Sequence, residues 1–157
     1  MADLGKWLLM AYRLPREPST PRIAVWRKFK RLGVAQLLDG MVALPLDSRN
    51  REQLEWLAEE ILEAKGEASI WISEPTTAAQ ERTLASSMAD SIAKEYRAVA
   101  EEAHRVGSND TASRRRALSS LRREMRRIRA RDYFPPPERR DARAAVEQLA
   151  TLVEVEA

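Results

Sequence analysis

The chain has 157 residues, 44% of them apolar and 32% charged, which suits one compact domain with an appendage and excludes wholesale disorder. It has no cysteine and a single histidine, His104, which excludes disulfide frameworks, thiolate or multi-histidine metal sites and a cysteine nucleophile. The formal charge is only +3 but unevenly placed: residues 105–131 hold 10 arginines against Asp110 and Glu124.

Trp7–Tyr12 is a continuous apolar run, the mark of a strand buried on both faces, and Arg13-Leu14-Pro15 ends it. It is the longest apolar run and far short of the ~20 residues of a membrane span. Lys6 precedes it with no small-residue cleavage site, so we expect no signal peptide and a cytoplasmic protein. Ser19-Thr20-Pro21 opens a helix that Gly33 closes. Ile23, Trp26, Phe29 and Leu32 recur along it at a spacing of three and are the expected core face; Arg22, Arg27, Lys28, Lys30 and Arg31 form the other.

Ala35–Leu38 and Met41–Leu44 read as a hairpin around Asp39-Gly40. Asp47-Ser48 caps a second helix with Leu54, Leu57 and Ile61 inward, and Lys65-Gly66 ends it. Ala68, Ile70 and Ile72 then alternate with Ser69, Trp71 and Ser73, which predicts a strand with one face less buried. The order β-α-β-β-α-β within about 70 residues predicts an α+β, ferredoxin-like split βαβ domain over residues 1–75. The four tryptophans, Trp7, Trp26, Trp56 and Trp71, all fall here and are expected to pack the core.

After Pro75 the period becomes purely helical. Leu84, Met88, Ile92, Tyr96, Val99 and Ala103 mark an amphipathic helix, Gly107–Asp110 a turn and cap, and Leu118, Leu121, Met125 and Ile128 a second helix. Prolines 135–137 form a non-helical hinge, and residues 138–155 a last helix with Val146, Leu149 and Val153 inward. Residues 76–157 thus read as a helical hairpin and last helix, an extension expected to pack on the domain.

The charge sits on the second of these helices. Arg115, Arg122, Arg126 and Arg129 fall roughly together on its wheel, with Arg116, Arg123, Arg127 and Arg131 on a neighbouring flank. Guanidinium forks on a rigid helix suit successive phosphates. A solvated face paired with Glu95, Glu101 and Glu102 fits the same composition, and both readings stay open. The candidate nucleic-acid contacts are Arg27, Lys28 and Arg31 on the first helix and Arg115, Arg116, Arg122, Arg123, Arg126 and Arg127 on this one. No residue pattern points to catalysis: acidic pairs such as Glu101-Glu102 point apart on helices, and the five glycines form no phosphate loop. We expect no catalytic residue, no metal and no cofactor, and a protein that is not an enzyme.

The run Trp7–Pro15, with Ser19, Arg22, Val25-Trp26-Arg27 and Leu32-Gly33, resembles the N-terminal domain of the chromate-resistance regulator ChrB. Gln53–Leu57, Glu95-Tyr96 and Ile128–Phe134 continue the resemblance over nearly the whole chain. It implies a transcriptional regulator that binds DNA, responds to chromate and controls chromate efflux. The first half also resembles CRISPR-associated Cas2 nucleases and the dimerisation domain of phenylacetate-type repressors. Those nucleases hold a divalent metal with an aspartate after the first strand, where this sequence has Arg13, a cation that cannot ligate one. Fold analogy implies a homodimer, paired through a sheet edge or the fourth strand.

Two functions follow. The first is a dimeric DNA-binding regulator acting through the two basic helices. The second is an oxyanion sensor without direct DNA binding, in which Arg13, Arg22 and Arg27, with Arg129 and Arg131, would hold chromate or sulfate.

Overall fold

The computed structural model describes residues 3–155; the outermost ends of the two expected segments, residues 1–2 and 156–157, lie outside the described residues. The elements run β1 (Asp3–Arg13), α1 (Thr20–Leu32), β2 (Ala35–Leu38), β3 (Met41–Leu46), α2 (Ser48–Glu63), β4 (Glu67–Ser73), α3 (Ala78–Val106), α4 (Thr111–Arg129) and α5 (Glu138–Val155). The four strands form one antiparallel sheet in the order β2-β3-β1-β4, the arrangement of the expected split βαβ.

β1 takes the centre, where an apolar strand can be covered on both edges. Leu8 lies between Leu44 and Ile72, and Met10 between Val42 and Ile70. The Tyr12 ring meets Phe29 at 5.1 Å between centroids, so the even-numbered side chains of β1 look toward the helices. Leu8, Met10, Val42 and Leu44 are buried, as are Val25 and Phe29 of α1 and Leu54, Leu57 and Ile61 of α2. Each such side chain contributes about 1.5–3 kcal/mol of transfer free energy. α2 begins where Asp47 accepts the Asn50 N–H at 2.7 Å, and the buried Asn50 amide donates to the Pro45 carbonyl at 3.0 Å. Behind α2 the chain turns through Lys65 (φ 67°) into Gly66, where a Cβ would collide with the Arg13 carbonyl oxygen and lie 2.8 Å from Ile61 Cγ2.

Two expectations about the core need correcting. α1 buries Val25 and Phe29, four residues apart, while Ile23 is 49% exposed. A strict spacing of three falls back about 60° per step, so Ile23 and Leu32 stand on opposite sides of the helix. Of the tryptophans only Trp7 is buried; Trp56 and Trp71 are 62% and 61% exposed. Trp71 stands on the sheet face opposite the helices, and Trp56 lies about 130° round α2 from the centre of the Leu54/Leu57/Ile61 stripe. β4 keeps the expected alternation from Glu67 to Trp71, and then Ile72 is 53% exposed at this edge strand's outer end.

α3, α4 and α5 build a second core from Ile92, Tyr96, Val99, Leu118, Leu121, Ile128, Val146 and Leu149, with Met125 and Val153 packed against it. The expected inward stripes of α4 and α5 are therefore those observed. Contacts divide the chain into units 1–85 and 86–157, a boundary inside α3 and ten residues past the change of composition at Pro75. The helical period starts before the contact pattern changes. No helix among the described residues is long and apolar enough to cross a membrane.

Candidate nucleic-acid interface

α4 starts at Asp110, whose carboxylate accepts the Ser113 N–H at 2.8 Å, as the turn-and-cap reading expects. That hydrogen bond holds the Asp110 carboxyl below its ordinary pKa, helped by the nearby Arg116 and Arg114. The helix then carries eight arginines and one glutamate. Leu118, Leu121 and Ile128 are buried and define its inner side. Arg114 falls on that side and is half-buried.

The remaining seven arginines are exposed. At 3.6 residues per turn, Arg115, Arg122, Arg126 and Arg129 occupy an arc of about 60°, and Arg116, Arg123 and Arg127 a second arc of about 40°. Their partners are few. Arg127 meets Glu124 at 3.4 Å, while Arg116 donates to Ser113 Oγ and Arg123 to Ser119 Oγ, each at 3.2 Å. Hydroxyl acceptors leave the charge uncompensated. Among the described residues Arg115, Arg122 and Arg126 have no ion-pair partner. Of the acidic residues that could have neutralised α4, Glu102 pairs with Arg105 of its own helix and Glu95 with Arg131 beyond the end of α4.

The other basic candidates stand on α1, in the first unit. Arg27, Lys28 and Arg31 are exposed, and Lys28 pairs with Glu60 of α2 at 2.6 Å. Lys30 lies 5.6 Å from the centre of the Trp26 ring, a cation–π contact. This patch is partly neutralised, and α4 is much less so.

The oxyanion candidates are divided between the two units. Arg13 pairs with Glu67 at 2.9 Å with both side chains about three-quarters exposed, a contact worth little in water. Arg22 and Arg27 are exposed on α1, and Arg129 is exposed at the end of α4. Arg22 also carries charge toward Tyr12, whose hydroxyl is raised above its ordinary pKa by burial and by Asp39, with Arg22 opposing. Arg131 is the exception in burial, with 16% of its side chain exposed. Its Nη1 and Nη2 donate to the two Glu95 oxygens at 2.7 and 2.9 Å, and its Nε donates to the Arg127 carbonyl at 3.2 Å. This clasp raises its pKa further above the ordinary guanidinium value and leaves it little capacity for a second anion.

A neighbouring pair was not foreseen from the sequence. The buried Tyr96 donates its hydroxyl to Asp132 Oδ2 at 2.7 Å, and Arg139 of α5 lies 3.7 Å from the same oxygen. The Asp132 side chain is 1% exposed, and its Oδ1 has no hydrogen-bond partner among the described residues. Glu95-Tyr96 and Arg131-Asp132 thus meet as two adjacent pairs 36 residues apart. Both dipeptides stand out in the sequence, but no spacing rule links segments so far apart.

A family model described as Protein ChrB, N-terminal, matches residues 22–109, more than half of the chain and from α1 to the turn before α4. The segments Trp7–Pro15 and Ile128–Phe134 lie outside that match. No curated protein matches the chain. Among solved structures, the uncharacterized protein Rv0674 from Mycobacterium tuberculosis is similar, with a TM-score of 0.58 and 14% identity. The likeness covers 99% of this chain and 63% of that one, so this chain spans less than two thirds of that protein's length and shares its fold. The strands β2, β3 and β4 and the helices α1, α2 and α3 between Arg22 and Asn109 carry the family's pattern, and the chain belongs to the ChrB N-terminal family.

Proposed function

We propose that this chain is the DNA-binding part of a chromate-resistance regulator, that it works as a homodimer, and that it catalyses no reaction. The observation that carries the reading is the outer face of α4, where seven arginines are exposed and Arg115, Arg122 and Arg126 have no ion-pair partner among the described residues. An uncompensated guanidinium row attracts a polyanion and releases its counterions on binding. Membership of the ChrB N-terminal family supports the part in chromate resistance, and the response to chromate is proposed with it. The homodimer is supported by β4, an edge strand whose Trp71 and Ile72 are exposed, with Leu62 of α2 also 56% exposed.

The test is a fluorescence-anisotropy titration of a labelled DNA duplex with the full chain over a range of salt. Log affinity should fall linearly with log salt, by about 0.9 per phosphate contacted. Absence of binding at low salt sinks the reading. Chromate added to the complex should release the DNA, whereas sulfate at the same ionic strength should not; equal effects of both count against a chromate response.

A further inference from the structure

We infer that α4 engages B-form duplex DNA by lying along the major groove, its two arginine stripes on the phosphates of opposite strands. The inference rests on the DNA binding proposed above and adds the form of the partner and the mode of contact. The stripe Arg115/Arg122/Arg126/Arg129 and the stripe Arg116/Arg123/Arg127 are centred about 110° apart on the helix. Between them runs a ridge of small exposed residues, Ala112, Ser119 and, at the C-cap, Ala130.

A helix with side chains is about 10–12 Å across and the major groove about 12 Å wide, so a low ridge can enter while long arginines on both flanks reach outward. At 19 residues α4 is about 28 Å long, enough for contacts along both walls. A single stripe would suit one strand; two stripes flanking a ridge match the two walls of a groove.

The ridge of alanine and serine brings no bidentate base contact, so the affinity rests on the phosphate contacts of the two stripes. α4 contains no asparagine or glutamine, the side chains that pair bidentately with adenine. It has no aromatic residue on which an unpaired base could stack, which disfavours single strands. An A-form RNA duplex has a deep, narrow major groove that does not admit a helix. One stripe is also pre-ordered: the bonds from Arg116 to Ser113 and from Arg123 to Ser119 hold those side chains along the helix before any partner arrives.

The experiment compares the full chain at low salt on a DNA duplex, one of its single strands, an RNA duplex of the same sequence and a DNA duplex of unrelated sequence. Two triple variants follow, Arg115→Gln/Arg122→Gln/Arg126→Gln and Arg116→Gln/Arg123→Gln/Arg127→Gln, with circular dichroism as the check on folding. Both DNA duplexes should bind, and the single strand and RNA at least ten-fold more weakly than either. Each triple variant should flatten the salt dependence by about 2–3 for every α4 on the duplex. Should a triple variant lose its helix, Arg122→Gln and Arg123→Gln taken singly should each flatten it by about 0.9 for every α4 on the duplex. A single strand or RNA duplex that binds as tightly as DNA, or a slope that responds to one stripe only, overturns the groove mode and leaves DNA binding intact. No binding to any of the four removes the proposed function itself.

Discussion

Tyr96 is fully buried and its hydroxyl ends on the carboxylate of Asp132, an acid that exposes 1% of its side chain. A buried carboxylate without donors is costly, and one of the two Asp132 oxygens already lacks a partner. Tyr96→Phe removes the shortest contact Asp132 has and should destabilise the chain by about 1–3 kcal/mol, read from urea unfolding at neutral pH. The tyrosine also imposes a pH dependence. Burial first, and then the Asp132 contact, raise its pKa well above the ordinary phenol value, so the fold favours the neutral ring. The stability gained is whole below pH of about 10, where an unfolded tyrosine ionises, and is lost as pH rises beyond it. The gap between native chain and Tyr96→Phe should therefore narrow above that pH. A constant gap would mean that the hydroxyl is not what ties ionisation to folding.

At the scale of elements, α1 and α4 show what helical patterns do and do not convey. In α4 the apolar residues 118, 121, 125 and 128 mix spacings of three and four and stay on one side, and these residues do form its packed face. In α1 the apolar residues outnumber the places on one face, and which of them turn inward depends on the sheet beneath. Val25 and Phe29 win because they sit one turn apart on the side of α1 where Phe29 meets Tyr12 of β1. The link from α2 to β4 depends on close approach rather than on pattern. Gly66 has no room for a Cβ against the Arg13 carbonyl oxygen at the end of β1. Gly66→Ala should push β4 away from β1 and cost more than about 2 kcal/mol. Thermal melting of the purified variant checks this, and an unchanged midpoint would show that the turn can open without cost.

At the scale of the molecule, β4 leaves one edge of the sheet without a neighbouring strand, and the Trp71 ring is exposed beside it with its Nε1 donating to Ser69 Oγ at 2.9 Å. If a second copy covers this edge, Trp71→Arg should convert a dimer to a monomer in analytical ultracentrifugation with the circular dichroism spectrum unchanged. A native chain that sediments as a monomer at all concentrations would dispose of the dimer. The sequence by itself determined the order of elements, the antiparallel sheet and the inner sides of α2, α4 and α5. Those features follow from local periodicity, from caps such as Asp47 and Asp110, and from breakers such as Gly33 and Gly66. It also located the arginine excess, because charge along one helix is a matter of spacing. What only the tertiary structure decided is which groups compensate one another. Glu95 closes on Arg131, Tyr96 on Asp132 and Lys28 on Glu60, while Arg115, Arg122 and Arg126 are left open to solvent. Exposure of Trp56 and Trp71 belongs to the same class. A side chain's partner or burial depends on residues distant in sequence and brought close by packing, and no local period encodes that distance.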